Sequence, residues 1–238
     1  MTASGDEWLE RWREYFLSWY EEGGVEAKAE EAAEFAQPYL EEGIASVSGG
    51  KDSMAMLHIL ATRCKPDLRV FHWDHGPWLM PREVENEILE GIRAVAPGAK
   101  LIVRRYRFGW SERSRVDWRP WYREFFAALR SLGFKYHLLG VRADESCRRR
   151  ARGRIAQRKQ WVEVHPIYHL TWRDVWAYIF RHCVPVPRVY FHYARLVGWD
   201  KVRLVTFFDR EFEKYGSPQL DSVLSWRWRN NPGPAGIT

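Results

Sequence analysis

The chain has 238 residues, 46% of them hydrophobic, and 37 Lys and Arg against 31 Asp and Glu give a net charge of +6. That length holds one large α/β domain with small appendages, and the basic balance suits anionic partners such as nucleotides or RNA without choosing between them. Cys64, Cys147 and Cys183 are far apart and form no Cys-x-x-Cys pair, so neither zinc, an iron–sulfur cluster nor a structural disulfide is supported.

The start is polar and acidic, and no apolar run approaches the roughly 20 residues of a membrane span, so a cytoplasmic protein without a leader and without membrane contact is expected. From Glu7 to Glu21, Trp8, Trp12, Tyr15, Phe16 and Trp19 recur at helical spacing and predict an amphipathic helix whose aromatic stripe packs into the core. Gly23-Gly24 ends it, and Val25 to Leu40 reads as a second helix. The pattern then alternates. Ile44–Val47, Leu68–Trp73, Leu101–Val103 and Tyr136–Leu139 read as strands, and Asp52–Thr62, Pro81–Val95 and Arg119–Leu132 as the helices between them. Thr171, with Asp174 three residues on, opens a further helix to Arg181 through a near capping box.

Such alternation predicts an open, mostly parallel α/β sheet with helices on both faces, preceded by N-terminal helices. We expect a helical extension over residues 1–40, a nucleotide-binding domain over 41–195, and a C-terminal extension over 196–238 whose tail from Asn230 is disordered. Ligands of such sheets bind beyond the carboxyl ends of the strands. Ser48-Gly49-Gly50, Asp74-His75-Gly76 and Gly140-Val141-Arg142 all begin at strand ends, which points to one site.

The loop Ser48-Gly49-Gly50-Lys51-Asp52-Ser53 has the parts of a phosphate cradle. Two glycines let backbone N–H groups approach an anion, the following helix directs its N-terminal dipole there, Ser48 and Ser53 add hydroxyls, and Lys51 adds charge. It is not a Walker A loop, because Asp52 follows Lys51 and Ala45 stands where that motif needs glycine. His72 and His75 beside Asp74 do not suggest a metal site, since alternate strand residues face opposite ways. A turn carboxylate competes with a ligand role for Asp74 itself.

Ser48 to Ser53, with Met54-Ala55-Met56-Leu57-His58, resembles the PP-loop of the N-type ATP pyrophosphatases, in the branch of the phosphoadenosine phosphosulfate (PAPS) reductases and the small subunit of ATP sulfurylase. Three further blocks agree with that family: Phe71 to Gly76, Gly140 to Ser146 with Arg149, and His165-Pro166-Ile167 followed by Thr171 to Ile179. The resemblance spans residues 44–193. It implies an adenine nucleotide alpha hydrolase-like fold and an adenosine nucleotide (ATP, adenylylsulfate or PAPS) at Ser48, Gly49, Gly50, Lys51, Asp52 and Ser53. It also implies Asp74 and Gly76 near the adenosine, anion contacts from Arg142 and Arg149, and Gly140, Glu145 and Ser146 shaping the loop after the fourth strand. Lys51, Arg142 and Arg149 are the catalytic candidates, and Asp52 would help hold Mg²⁺.

The resemblance stops short of the family's C-terminal cysteine motif and of its iron–sulfur cysteine pairs, neither of which is present. Three readings follow. One is an enzyme of adenylyl or sulfuryl transfer, with sulfate as a candidate acceptor. The second is a PAPS or adenylylsulfate reductase using an external thiol partner or Cys147. The third is a nucleotide- or RNA-binding protein without redox chemistry, its basic residues from Arg148 to Lys159 tracking a phosphate backbone.

Overall fold

The computed structural model describes residues 4–76, 80, 82–106 and 118–204. Its strands are β1 (Gly43–Ser46), β2 (Arg69–Asp74), β3 (Lys100–Arg105), β4 (Tyr136–Leu139), β5 (Ile155–Gln157) and β6 (Val162–Val164). Its helices are α1 (Ser4–Glu22), α2 (Val25–Ala36), α3 (Lys51–Arg63), α4 (Arg82–Val95), α5 (Trp118–Arg130), α6 (Cys147–Arg150), α7 (Trp172–His182) and α8 (Val189–Val197). The strands form one sheet in the order β3-β2-β1-β4-β6-β5, parallel except for the β5–β6 pair.

The period of two along each strand builds two cores. Ala45, Val47, Val70, Leu138 and Val164 face a layer that includes α1, α2, α3, α4 and α7. Ile44, Phe71 and Trp73 face the other way, against Trp121 and Leu129 of α5. Helices therefore cover both faces of the sheet. From β1 the chain winds through α3, β2 and α4 to β3, and α5 then returns it to β4 on the far side of β1. The strand order reverses between β1 and β4, and their carboxyl ends bracket the crevice where α/β sheets take ligands.

The aromatic stripe of α1 packs on the core as expected, except for Tyr15, which is exposed. Phe16 is fully buried and stacks on Phe180 of α7 at 5.4 Å, and Trp8 stacks on Trp199 at 5.4 Å. The indole of Trp19 donates to Asp174 at 3.0 Å, and Lys28 of α2 reaches the same carboxylate at 3.1 Å. Asp174 also accepts from the backbone N–H of Thr171, closing the expected capping box.

Several boundaries differ from the sequence reading. The second helix ends at Ala36 and a 3₁₀ turn follows over Gln37–Tyr39, because Pro38 has no N–H to continue the ladder. The third strand is twice the expected length, since all six residues pair with β2. The β5–β6 hairpin and α8 were not anticipated. The expected helix start at Pro81 and the tail from Asn230 lie outside the described residues. Among the described residues, no helix is long and apolar enough to cross a membrane.

Candidate functional site

The loop 48–53 joins β1 to α3. Gly49 takes φ +80°, and a methyl group on it would meet the Ile88 side chain of α4 at 2.4 Å, so both backbone conformation and packing require glycine there. Gly50 caps α3 in an extended conformation. The first N–H groups of a helix have no partner within it. That of Lys51 donates instead to the hydroxyl of Tyr190 at 2.9 Å, and that of Leu204 donates to the same oxygen at 2.9 Å. Tyr190 thereby ties α8 and the chain at 203–204 to the phosphate-type loop. Ser53 Oγ donates to the Gly50 carbonyl at 2.8 Å and accepts from Ser48 N–H at 3.2 Å, which fixes the shape of the loop.

A charged lattice lies behind the loop. Asp52 accepts from Lys51 Nζ at 2.9 Å and from Arg142 Nε at 2.6 Å. Burial pushes its carboxyl up, but the two cations outweigh that and hold it down to about 2. Arg142 also bonds Asp144, and its backbone N–H donates to Glu145 at 3.1 Å. Arg149 reaches Glu145 at 2.6 Å. Burial and the neighbouring Asp52 charge raise the Glu145 carboxyl, against the pull of Arg149 and Arg142.

In front of the loop lies a cavity of about 350 Å³. Ser48, Gly50, Asp52 and Ser53 form its loop wall, and Gly140, Val141, Glu145 and Arg149 a second wall from the end of β4. Phe71, Trp73, His75, Trp121 and Phe125 form a third, aromatic wall. The His75 ring lies parallel to Trp121 at 5.5 Å, and burial, with His72 nearby, lowers its pKa to about 4, so the imidazole is neutral at physiological pH. Tyr190, Arg203 and Leu204 complete the rim. The arrangement joins an anion cradle to a flat apolar slot, and the dimensions suit a nucleotide.

Residues 42–203 match the phosphoadenosine phosphosulfate reductase domain family. The chain belongs to that family. Among PAPS reductase-family relatives, the adenosine 5′-phosphosulfate reductase of Bacillus mycoides (strain KBAB4) is 23% identical over 189 residues, covering 74% of this chain and 79% of the relative. Its counterpart in Bacillus cereus (strain B4264) shows the same identity and coverage. In fold, the chain is similar to phosphoadenylyl-sulfate reductase from Candida auris, solved as a phosphate complex. The TM-score is 0.51 at 16% identity, over 73% of this chain and 88% of that one. It is also similar to the U34-tRNA thiolase NcsA from Methanococcus maripaludis, solved with a 4Fe-4S cluster. There the TM-score is 0.54 at 12% identity, over 93% of this chain and 75% of that one.

Of the residues expected at the site, Ser48, Gly50, Asp52, Ser53, Gly140, Glu145 and Arg149 line the cavity. Other residues expected there sit behind it. Lys51 and Arg142 are 3% exposed and turned onto Asp52. Gly49 packs on Ile88. Ser146 caps α6 by accepting from Arg149 N–H. Asp74 is fully buried, where it binds Arg82 at 2.9 Å, Arg105 at 2.5 Å and the Gly76 N–H at 2.7 Å. It acts as the turn carboxylate after β2. Cys147 is exposed and does not line the cavity. Tyr190 and the aromatic wall went unread in the sequence. The high aromatic content was their one signal, and it did not say which rings would converge. Among the described residues no group of three or more His, Cys, Asp or Glu could hold a metal ion.

Proposed function

We propose that the cavity binds an adenosine nucleotide, with its sulfate or phosphate group on the loop 48–53 and its nucleoside along the aromatic wall, and that the protein transfers the sulfuryl group to a thiol on a second molecule. The observation behind this reading is an anion cradle and an aromatic slot meeting at the switch-point crevice, in a wall that holds no cysteine. The whole chain has three cysteines, and none of them lines the cavity. The nucleophile must therefore come from outside. Its thiolate would form a bond to sulfur while the sulfur–oxygen bond to the nucleotide breaks and the adenosine phosphate leaves. A second thiolate then attacks the sulfur of the first, sulfite leaves with the electron pair of the sulfur–sulfur bond, and a disulfide remains. The relatives named adenosine 5′-phosphosulfate reductases and the family match support this choice of group.

In this reading the Ser48 hydroxyl, the Gly50 N–H and the N–H groups of Arg149 not bound to Glu145 stabilise charge on the transferred and leaving groups, while Ser53 holds the loop in shape. Lys51 and Arg142 are positioning residues. They neutralise Asp52, so the carboxylate at the wall does not repel an incoming anion.

The residues do not fit a resident magnesium ion. Each oxygen of Asp52 already accepts from a buried cation, and the other carboxylate lining the cavity, Glu145, accepts from the Arg142 backbone N–H and from Arg149. No step here runs through a metal. The RNA reading is not favoured either, since Arg154 and Arg158 of the basic run are each held by a glutamate and Arg149 lines the cavity.

The test is titration of adenylylsulfate, PAPS and ATP, with Mg²⁺ or with EDTA, followed by assay of sulfite and pyrophosphate with and without added thiol. A sulfated nucleotide is expected to bind equally well in EDTA and to react only with thiol present. Absence of binding, or binding that survives Ser48→Ala combined with Arg149→Ala, would sink the reading. Pyrophosphate released from ATP would replace it with adenylyl transfer.

A further inference from the structure

Ser46 is the last residue of β1, two positions before the loop, and it lines the cavity. By the alternation of the strand its side chain shares a face with Ile44, the side of the sheet on which α5 and the aromatic wall lie. Its hydroxyl has one side-chain partner, Nε2 of His137, at 2.5 Å. His137 stands on the neighbouring strand β4, opposite Ile44 in register, so the contact is a cross-strand diagonal.

The surroundings of His137 are not what a purely structural histidine would keep. The ring is 4% exposed and packs among Phe134 at 5.4 Å and Trp161 at 5.8 Å. Its Nδ1 is buried and has no hydrogen-bond partner. Burial lowers its pKa to about 4, with the nearby Glu163 only partly opposing, so the imidazole is neutral. A leucine or phenylalanine would satisfy this apolar setting without leaving a polar atom unpaired. The imidazole's one polar contact is the hydroxyl at the cavity wall.

The second link is the position of that hydroxyl. The polar groups on the loop and β4 walls face the end of the cavity that takes an anion. On the aromatic side the polar side chains at the wall are Ser46 and His75. Ser46 joins the two sides of the cavity: it ends the strand that leads into the loop, and it stands opposite Phe71 of the aromatic wall in register.

We propose that Ser46 contacts the nucleoside part of the substrate and that His137 is a positioning residue that holds the Ser46 hydroxyl in the required direction. The inference rests on the nucleotide reading of the cavity and adds the residue pair that discriminates among nucleosides. A serine free to rotate through three rotamers would offer the same atom with less direction, and fixing it lowers the ordering cost of binding.

The experiment is isothermal titration of the full-length protein with adenylylsulfate and, separately, with inorganic phosphate. The variants are Ser46→Ala, His137→Phe, His137→Asn and the Ser46→Ala/His137→Phe double. Losing one neutral hydrogen bond should weaken nucleotide binding about tenfold in Ser46→Ala, by a similar factor in His137→Phe, and no further in the double. Phosphate binding should stay unchanged in all of them, and His137→Asn, which keeps a side-chain hydrogen-bonding group, should recover most of the loss.

Binding of 2′-deoxy and inosine analogues identifies the partner atom. The analogue lacking it should bind wild type about tenfold more weakly, yet bind Ser46→Ala no worse than adenylylsulfate does. Unchanged nucleotide affinity in Ser46→Ala overturns the inference while leaving the site reading intact. Equal loss of phosphate and nucleotide binding overturns it by showing general damage. A wild-type protein that binds phosphate but no nucleotide overturns the site reading, and this inference with it.

Discussion

Gly140 at the end of β4 lies against Ser53 in the first turn of α3, so close that a methyl group on it would stand 2.8 Å from the Ser53 backbone nitrogen and 2.9 Å from the Asp52 carbonyl carbon. Both neighbours are backbone, so they cannot rotate away. This contact sets the width of the crevice at the point where the strand order reverses. Gly140→Ala should push β4 and the loop apart, costing about 1–3 kcal/mol of stability, as overpacking does. Anion binding should fall more steeply than stability alone explains, because the displaced atoms belong to the cradle. Thermal unfolding and phosphate titration of the variant check this. Unchanged phosphate affinity would show that the contact only packs.

The thiol-independent wall leads to a second expectation. A variant with Cys64→Ala, Cys147→Ser and Cys183→Ser should keep sulfuryl transfer to an added thiol within about twofold, since none of the three lines the cavity. Sulfite release with dithiothreitol as acceptor is the measurement. A loss confined to Cys147→Ser would restore a nucleophilic role to that residue, which stands exposed at the start of α6.

The parts of this protein legible in its sequence are those written in local pattern. The loop 48–53 announces itself because glycine, hydroxyl and cation sit side by side at a strand end, and the sheet because apolar runs alternate with amphipathic ones. The β5–β6 hairpin was hidden because each strand has only three residues, too few to show a period, and β5 lies inside the arginine-rich stretch. Partners were hidden for a different reason. Asp74 stands at a strand end like a ligand residue, but Arg82 and Arg105, which bind it, come from α4 and from β3. Tyr190 reaches Lys51 across 139 residues of chain, and His137 reaches Ser46 across 91. Only the folded sheet brings these pairs together.

Helix α1 lies outside the stretch that matches the family, yet Phe16 sits fully buried among Trp172, Trp176, Phe180 and Trp199. Phe16→Ala should cost about 3–5 kcal/mol, the usual penalty for emptying a large buried aromatic site. That is a large part of the stability of an average domain. Removing residues 1–22 should leave α7 and Trp199 uncovered and the remainder insoluble or unfolded. Urea denaturation of Phe16→Ala and solubility of the truncated chain decide the point. A truncated chain that stays folded and binds nucleotide would make α1 an accessory.

The ion pairs behind the loop give stability a definite dependence on pH. The Asp52 carboxyl is buried, which by itself would raise its pKa, but Lys51 and Arg142 hold it at about 2, below the usual value of 3.8. A carboxyl whose pKa is depressed on folding stabilises the native state above its unfolded pKa, and that contribution disappears as the pH falls through the folded pKa. Asp52 should therefore contribute roughly 2 kcal/mol near neutrality, lost progressively between about pH 4 and pH 2. Asp74 is held at about 2 as well, by Arg82, the Gly76 N–H and Arg105 against the effect of its burial, and adds to the same window. Denaturation midpoints should already decline from pH 6 to pH 4, where the buried neutral His75 and His137 take up protons only on unfolding. The Asp52 part should be read as the gap between wild type and Asp52→Asn, which narrows between about pH 4 and pH 2. Asp52→Asn should start lower at pH 6, because two buried cations lose their counter-charge, and should fall less steeply below pH 4. A gap that does not narrow below pH 4, with the variant keeping the full wild-type slope, would mean that Asp52 is not held between Lys51 and Arg142 in solution.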